Sequence, residues 1–141
     1  MADPAAVSGG SGAPIALTVA GSDSGGGAGI QADLKAFSAL GVYGASVVTA
    51  VTAQNTCAVT AVHAVPQDVV AAQLAAVFDD LAIGAVKIGM LGGPSVIATV
   101  AAGLAARSLP VVLDPVMVAK SGAALLPDSA VAALRRDLLP L

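Results

Sequence analysis

Apolar and polar positions alternate along this chain in two periods, and the switch between them divides it into strands and helices. Ile15-Ala16-Leu17-Thr18-Val19 is short, apolar and partly β-branched, the pattern of a buried strand. Ile30, Leu34, Phe37 and Leu40 then recur at helical spacing, predicting a helix over 30–40 closed by Gly41 as its C-terminal cap. Tyr43 to Val51 predicts a second buried strand that ends in the polar cluster Thr52-Ala53-Gln54-Asn55-Thr56. Thr60 to Val65 predicts a short strand. Pro66 opens a helix with Asp68 in its first turn and an inner stripe of Val70, Leu74, Val77, Phe78 and Leu81.

Ala85 to Leu91 predicts the next strand, and Gly92-Gly93-Pro94-Ser95 starts a helix whose inner face is Val96, Ile97, Val100 and Leu104. Pro110-Val111-Val112-Leu113 predicts another strand with Asp114 at its C-terminal end. A loop from Pro115 to Leu126 carries Lys120-Ser121-Gly122, and Pro127-Asp128-Ser129 begins a last helix ending near Leu139. Strands alternating with helices of this length imply a parallel sheet with helical crossovers, so the fold class is α/β. Residues 1–13, rich in Gly, Ser and Ala, read as a disordered leader, and 14–141 as one α/β domain.

Composition narrows the partners. The chain has 141 residues, 57% of them hydrophobic and only 11% charged, against about a quarter charged in a typical soluble domain. Apolar surface is therefore expected to be covered, by a second copy in a homodimer or by further chain. A net charge of −3 with six scattered Lys and Arg argues against nucleic acid. No apolar run is long enough for a membrane span and the first residues lack a secretory pattern. A single cysteine, Cys57, suits a reducing compartment, and a cytoplasmic location is expected.

The chemistry concentrates between the first strand and the first helix, in Ala20-Gly21-Ser22-Asp23-Ser24-Gly25-Gly26-Gly27-Ala28-Gly29-Ile30-Gln31-Ala32-Asp33-Leu34-Lys35. Glycines there admit positive φ and close approach of a ligand to backbone amides beside a helix N-terminus. Gly27-x-Gly29-x-x-Ala32 fits the dinucleotide fingerprint superficially, but the acid it requires further on is missing from Val47 to Thr52. A phosphate-binding P-loop needs Gly-Lys-Ser/Thr where this chain has Gly29-Ile30-Gln31. Asp23 and Asp33 would repel a diphosphate and suit a neutral or amine-bearing, hydroxylated small molecule.

If the strands are all parallel, this loop, Gln54-Asn55, Gly89-Met90 and Asp114 share one rim of the sheet, where α/β folds bind ligands. Each residue also has a plainer reading. Asp33 in a first helical turn serves the dipole, Gln54 and Asn55 form a strand-end turn, and Met90 fills core. Asp114 before a proline forms a turn, and Lys120 is a solvated loop residue. His63 is structural, Cys57 is a small buried hydrophobe, and Asp79-Asp80 is a solvated helix end. Lys87 inside an apolar strand is out of place unless its amine reaches a carboxylate at the rim.

The glycine-rich stretch resembles that of the bacterial hydroxymethylpyrimidine/phosphomethylpyrimidine kinases of the ribokinase-like superfamily, which serve thiamine biosynthesis. The resemblance continues through Thr49 to Thr56, Lys87-Ile88-Gly89-Met90-Leu91, Leu113-Asp114-Pro115-Val116-Met117 and Ala119-Lys120-Ser121-Gly122. Pyridoxal kinases are a related group with which this pattern is most readily confused. The resemblance implies a three-layer sheet with helices on both faces, incomplete here, and phosphoryl transfer from ATP, with Mg2+, to the hydroxymethyl group of an aminopyrimidine and then to its monophosphate. Gly21, Asp33, Gln54 and Met90 would line the pyrimidine pocket, Asp114 would stand near metal and phosphates, and Lys120 near the transferred phosphate. It also implies that this is the substrate-binding half of such a kinase, without the general base and most of the ATP pocket, and with poor pyrimidine binding and little or no turnover alone. The rival classes are a non-catalytic binding module, a pyridoxal kinase-like enzyme and, weakened by the missing ribose acid, a dinucleotide-dependent oxidoreductase.

Overall fold

Four short strands form the central sheet: β1 (Ile15–Ala20), β2 (Tyr43–Val48), β5 (Ala85–Ile88) and β6 (Val111–Leu113). Their order is β2-β1-β5-β6, every neighbouring pair parallel. The computed structural model describes residues 12–116 and 127–141; of the expected leader, residues 1–11 lie outside the described residues. Alternation along the strands decides what each face carries. Leu17, Val19, Ala45, Val47, Val86 and Ile88 point to one side, where they meet α2 (Gln67–Asp80), α3 (Pro94–Leu104) and α4 (Asp128–Asp137) in a continuous core. Leu17, Ile88 and Ile97 are sealed from solvent, each burial contributing about 2 kcal/mol.

The opposite face is covered over β1 and β2 by α1 (Gly29–Ala39). The result is three layers with helices on both sides of a parallel sheet, as expected from the sequence. The inner face of α3 is as expected, with Val96, Ile97, Val100 and Leu104 all buried. In α2 only Val70 and Leu74 are fully buried, while Val77, Phe78 and Leu81 pack at the edge of the core. Gly41 caps α1 at φ +72°, the left-handed conformation that other residues adopt only with strain.

Two expectations need correction. The predicted strand from Tyr43 to Val51 breaks at Thr49, and the chain leaves the sheet. Thr49 spends its polar groups on the change of direction: its amide donates to Ala20 (2.9 Å), its hydroxyl to the Met90 carbonyl (2.8 Å), and its carbonyl accepts from Val65 (2.9 Å). Beyond this corner the chain forms a separate antiparallel hairpin, β3 (Ala50–Gln54) with β4 (Val59–Ala64). Gln54 therefore sits on a hairpin leaning over the rim, not on a strand of the parallel sheet. The second correction concerns α1, which has the expected periodicity but no fully buried residue, with Leu40 79% exposed. Among the described residues no second helix packs beside α1 to enclose its stripe.

Candidate functional site

The glycine-rich loop between β1 and α1 is organised by its own acid. Asp23 is buried, and its carboxylate accepts from the amides of Gly25 (2.8 Å), Gly27 (3.0 Å) and Ala28 (2.9 Å). The Gly26 amide returns to the Asp23 carbonyl (2.9 Å), and the Asp23 amide donates to Gln31 Oε1 (2.8 Å). Four consecutive amides are thus satisfied inside the loop, and none of them is left for a phosphate. This accounts for the mismatch with both phosphate-binding patterns. It also corrects the reading of Asp23 as an acid facing a ligand, since its oxygens are spent on the backbone.

Helix α1 begins under this loop. Its first residue, Gly29, has φ +58°, and a Cβ there would collide with the Gly21 carbonyl, which accepts from Ile30 at 3.0 Å. The N-cap, Ala28, has no side-chain oxygen, so Asp23 supplies the anionic partner from five residues back. Asp33 falls in the second turn, the first turn having no acid, so the dipole reading of Asp33 does not apply. Its Oδ2 instead accepts from the Thr18 hydroxyl (2.6 Å) and from the Lys87 ammonium (2.9 Å). The lysine that is out of place in an apolar strand thereby finds its carboxylate.

The hairpin is sewn to the loop by hydroxyls. Ser24 Oγ donates to the Gln54 carbonyl (2.6 Å) and accepts from the Gln54 amide (2.7 Å). Thr52 Oγ1 donates to the Ser22 carbonyl (2.8 Å) and lies 3.2 Å from Gln54 Oε1. The Ser22 amide donates to Ala50 (2.8 Å). Loop, hairpin and the C-terminal ends of the strands together enclose a cavity of about 400 Å³. Gly21, Asp33, Gln54, Lys87, Met90 and Asp114 all line it.

Five of the six site residues read from the sequence thus converge, Asp114 from the exposed end of β6, where its amide donates to Ile88 (2.8 Å). The sixth, Lys120, lies outside the described residues. Sequence reasoning missed Thr18 and Ser24. A lone threonine in an otherwise apolar strand is the available signal for the first; for the second there is none. Cys57 is exposed at the hairpin turn, which corrects its reading as a buried hydrophobe. His63 is exposed on β4, and no group of three metal-ligating side chains occurs among the described residues.

A second groove, of about 480 Å³, runs between α2 and α3. Arg107 on its wall stacks 3.9 Å over the Phe78 ring, and among the described residues no acid lines it. The rim cavity is the one that combines a shaped apolar wall with convergent polar groups.

The family model described as phosphomethylpyrimidine kinase matches residues 23–141. A hydroxymethylpyrimidine/phosphomethylpyrimidine kinase of Rhizobium meliloti is 65% identical over 127 residues, 90% of this chain and 48% of that protein. The Escherichia coli protein of the same name is 57% identical over 126 residues, 89% of this chain and 47% of its own length. Among solved structures, phosphomethylpyrimidine kinase from Clostridium difficile superposes with a TM-score of 0.84 at 50% identity, over 90% of this chain and 55% of that one. An ADP complex of Bacillus subtilis pyridoxal kinase gives 0.80 at 40% identity, over 91% and 49%. The chain spans about half the length of the curated relatives it matches.

Proposed function

Because the chain belongs to the phosphomethylpyrimidine kinase family, we propose that it supplies the acceptor pocket of an ATP-dependent kinase acting on 4-amino-5-hydroxymethyl-2-methylpyrimidine and its monophosphate in thiamine biosynthesis. The observation that carries this reading is the meeting of Asp33 and Gln54 in one cavity, from a helix and from a hairpin on separate elements of the fold. A carboxylate oxygen accepts from an exocyclic amine, and a carboxamide both donates and accepts, which matches ring nitrogen and hydroxyl. Met90 supplies an adaptable apolar surface for the ring, and Gly21, against which Met90 packs, leaves room for that side chain. Nothing in this set is cationic toward the cavity except Lys87, which Asp33 neutralises.

The same residues bear on the nucleotide. The loop amides are consumed by Asp23, so the loop does not cradle ATP phosphates, and no ligand cluster for Mg2+ forms round Asp114 among the described residues. In this reading both ATP and Mg2+ are held chiefly by length that the relatives have beyond the part matched here, and the family resemblance assigns Asp114 to the metal and phosphates and Lys120 to the transferred phosphate. The isolated chain then binds the acceptor weakly and turns over little. Partners in this reading are the small pyrimidine and a second copy in a homodimer, not nucleic acid or membrane. No helix among the described residues is long and apolar enough to cross a membrane.

Calorimetric titration of this chain with the aminopyrimidine alcohol tests the pocket. Asp33→Ala and Gln54→Ala should each weaken binding about tenfold, the equivalent of about 1.4 kcal/mol. Unchanged affinity in both removes the assigned site. Pyridoxal is the second ligand to titrate, because a Staphylococcus aureus pyridoxal kinase solved with pyridoxal superposes at a TM-score of 0.79 and 35% identity. Tighter binding of pyridoxal than of the pyrimidine would reverse the substrate assignment.

A further inference from the structure

Thr18 on β1 and Lys87 on β5 are direct partners in the sheet register, and both project from the face that α1 covers. Their neighbours along each strand, Leu17, Val19, Val86 and Ile88, are buried on the other face of the sheet. On the α1 face the Lys87 ammonium is only partly exposed, and the carboxylate of Asp33 compensates the hydration it loses there. The side chains of Lys87 and Asp33 are 24% and 16% exposed. Gly89, two residues on from Lys87, leaves room for the ammonium: a Cβ there would stand 3.1 Å from Nζ.

The two donors do not share Asp33 evenly. Thr18 Oγ1 at 2.6 Å and Lys87 Nζ at 2.9 Å both fall on Oδ2, and among the described residues no donor meets Oδ1. Two contacts on one oxygen fix the plane of the carboxylate, and the lone pairs of the other oxygen are open to a ligand in a group that lines the cavity. The ion pair also offsets the charge of Asp33 itself, so that this carboxylate presents a fixed acceptor.

We propose that Lys87 and Thr18 are positioning residues that lock Asp33 so that Oδ1 reads an amino group on an uncharged heterocycle, which makes Lys87 a determinant of selectivity for amine-bearing ligands. This rests on the acceptor-pocket reading above. It adds that discrimination is set behind Asp33, at a residue that need not touch the ligand.

The test is selectivity, measured on this chain by titration with two probes, 4-amino-5-hydroxymethyl-2-methylpyrimidine and the same molecule without its amine. The unsubstituted chain should prefer the amine-bearing probe about tenfold or more. Lys87→Met should reduce that preference to about threefold or less, by weakening the amine-bearing probe more than the deamino probe. Lys87→Arg should restore most of the preference, and Thr18→Val, a milder change that removes one of the two donors, should fall between. A Lys87→Met chain that loses both affinities equally, or keeps the preference intact, overturns the positioning role. A failure of the pocket reading is distinct: there the unsubstituted chain shows no amine preference, or Asp33→Asn leaves the preference untouched.

Discussion

The carboxylate of Asp23 accepts a 2.9 Å hydrogen bond from the amide of Ala28, the residue at which α1 begins to wind. That bond, with those from Gly25 and Gly27, turns a loop of glycines into a defined shape. Asp23→Ala removes a buried carboxylate and leaves three amides of exposed loop residues without their anionic acceptor. Water can reach those amides in part, so the expected loss is about 1–2 kcal/mol, read as a fall of about 3–6 °C in the thermal midpoint. Asp23→Asn, which keeps one acceptor oxygen and no charge, should lose about half as much.

Gly29 and Gly41 are both held at positive φ, +58° and +72°, yet they should differ in how they tolerate a methyl group. At Gly41 nothing lies within 4 Å of the added carbon, so Gly41→Ala costs only the backbone strain, about 1–2 kcal/mol. At Gly29 the carbon meets the Gly21 carbonyl, and loop and helix start must move apart. Gly29→Ala should cost about 3 kcal/mol or more. Chemical denaturation of the two variants side by side checks the ordering.

Ser24 replaces a strand contact between loop and hairpin, since its single hydroxyl serves both the amide and the carbonyl of Gln54. Both bonds are exposed to solvent, so their net worth is about 0.5–1 kcal/mol. Ser24→Ala should leave the core melting transition nearly unchanged and free the hairpin locally. Amide hydrogen exchange across β3 and β4 should then rise about two- to fivefold, with α2 and α3 unaffected.

Features legible in the sequence arise from local pattern, and those that are not depend on distant partners. The strands of the sheet and the inner face of α3 are written in apolar periodicity, because burial against a continuous layer repeats with the backbone. The hairpin is hidden inside the apolar run Val47-Val48-Thr49-Ala50-Val51, which no turn residue interrupts. Its corner at Thr49 is made by Met90 and Val65, far along the chain. Asp23 and Asp33 illustrate the same limit within the site. Both are acids beside glycines, and only their surroundings separate a carboxylate that holds backbone from one that faces the cavity. Gln54 reaches the expected rim by a different route, because the hairpin that carries it folds back over the same edge.

The contact between Gly21 and Met90 offers a test of cavity shape that does not touch a hydrogen bond. A Cβ at Gly21 would stand 2.7 Å from Met90 Cε, the far end of a flexible side chain, while the nearest backbone atom, the Ala50 carbonyl oxygen, is at a comfortable 3.7 Å. In Gly21→Ala the methionine rather than the backbone should give way, so the fold survives while the wall that receives the ring is displaced. Pyrimidine affinity should drop about tenfold with little change in thermal midpoint. Shortening the displaced side chain separates steric crowding from any loss of loop mobility. Met90→Ala alone should weaken binding by removing apolar contact, yet in the Gly21→Ala background the same change should cost less or restore part of the affinity. Such non-additivity is the signature of two residues competing for one space. Strictly additive losses would mean that Met90 does not stand against Gly21 when the ligand is bound.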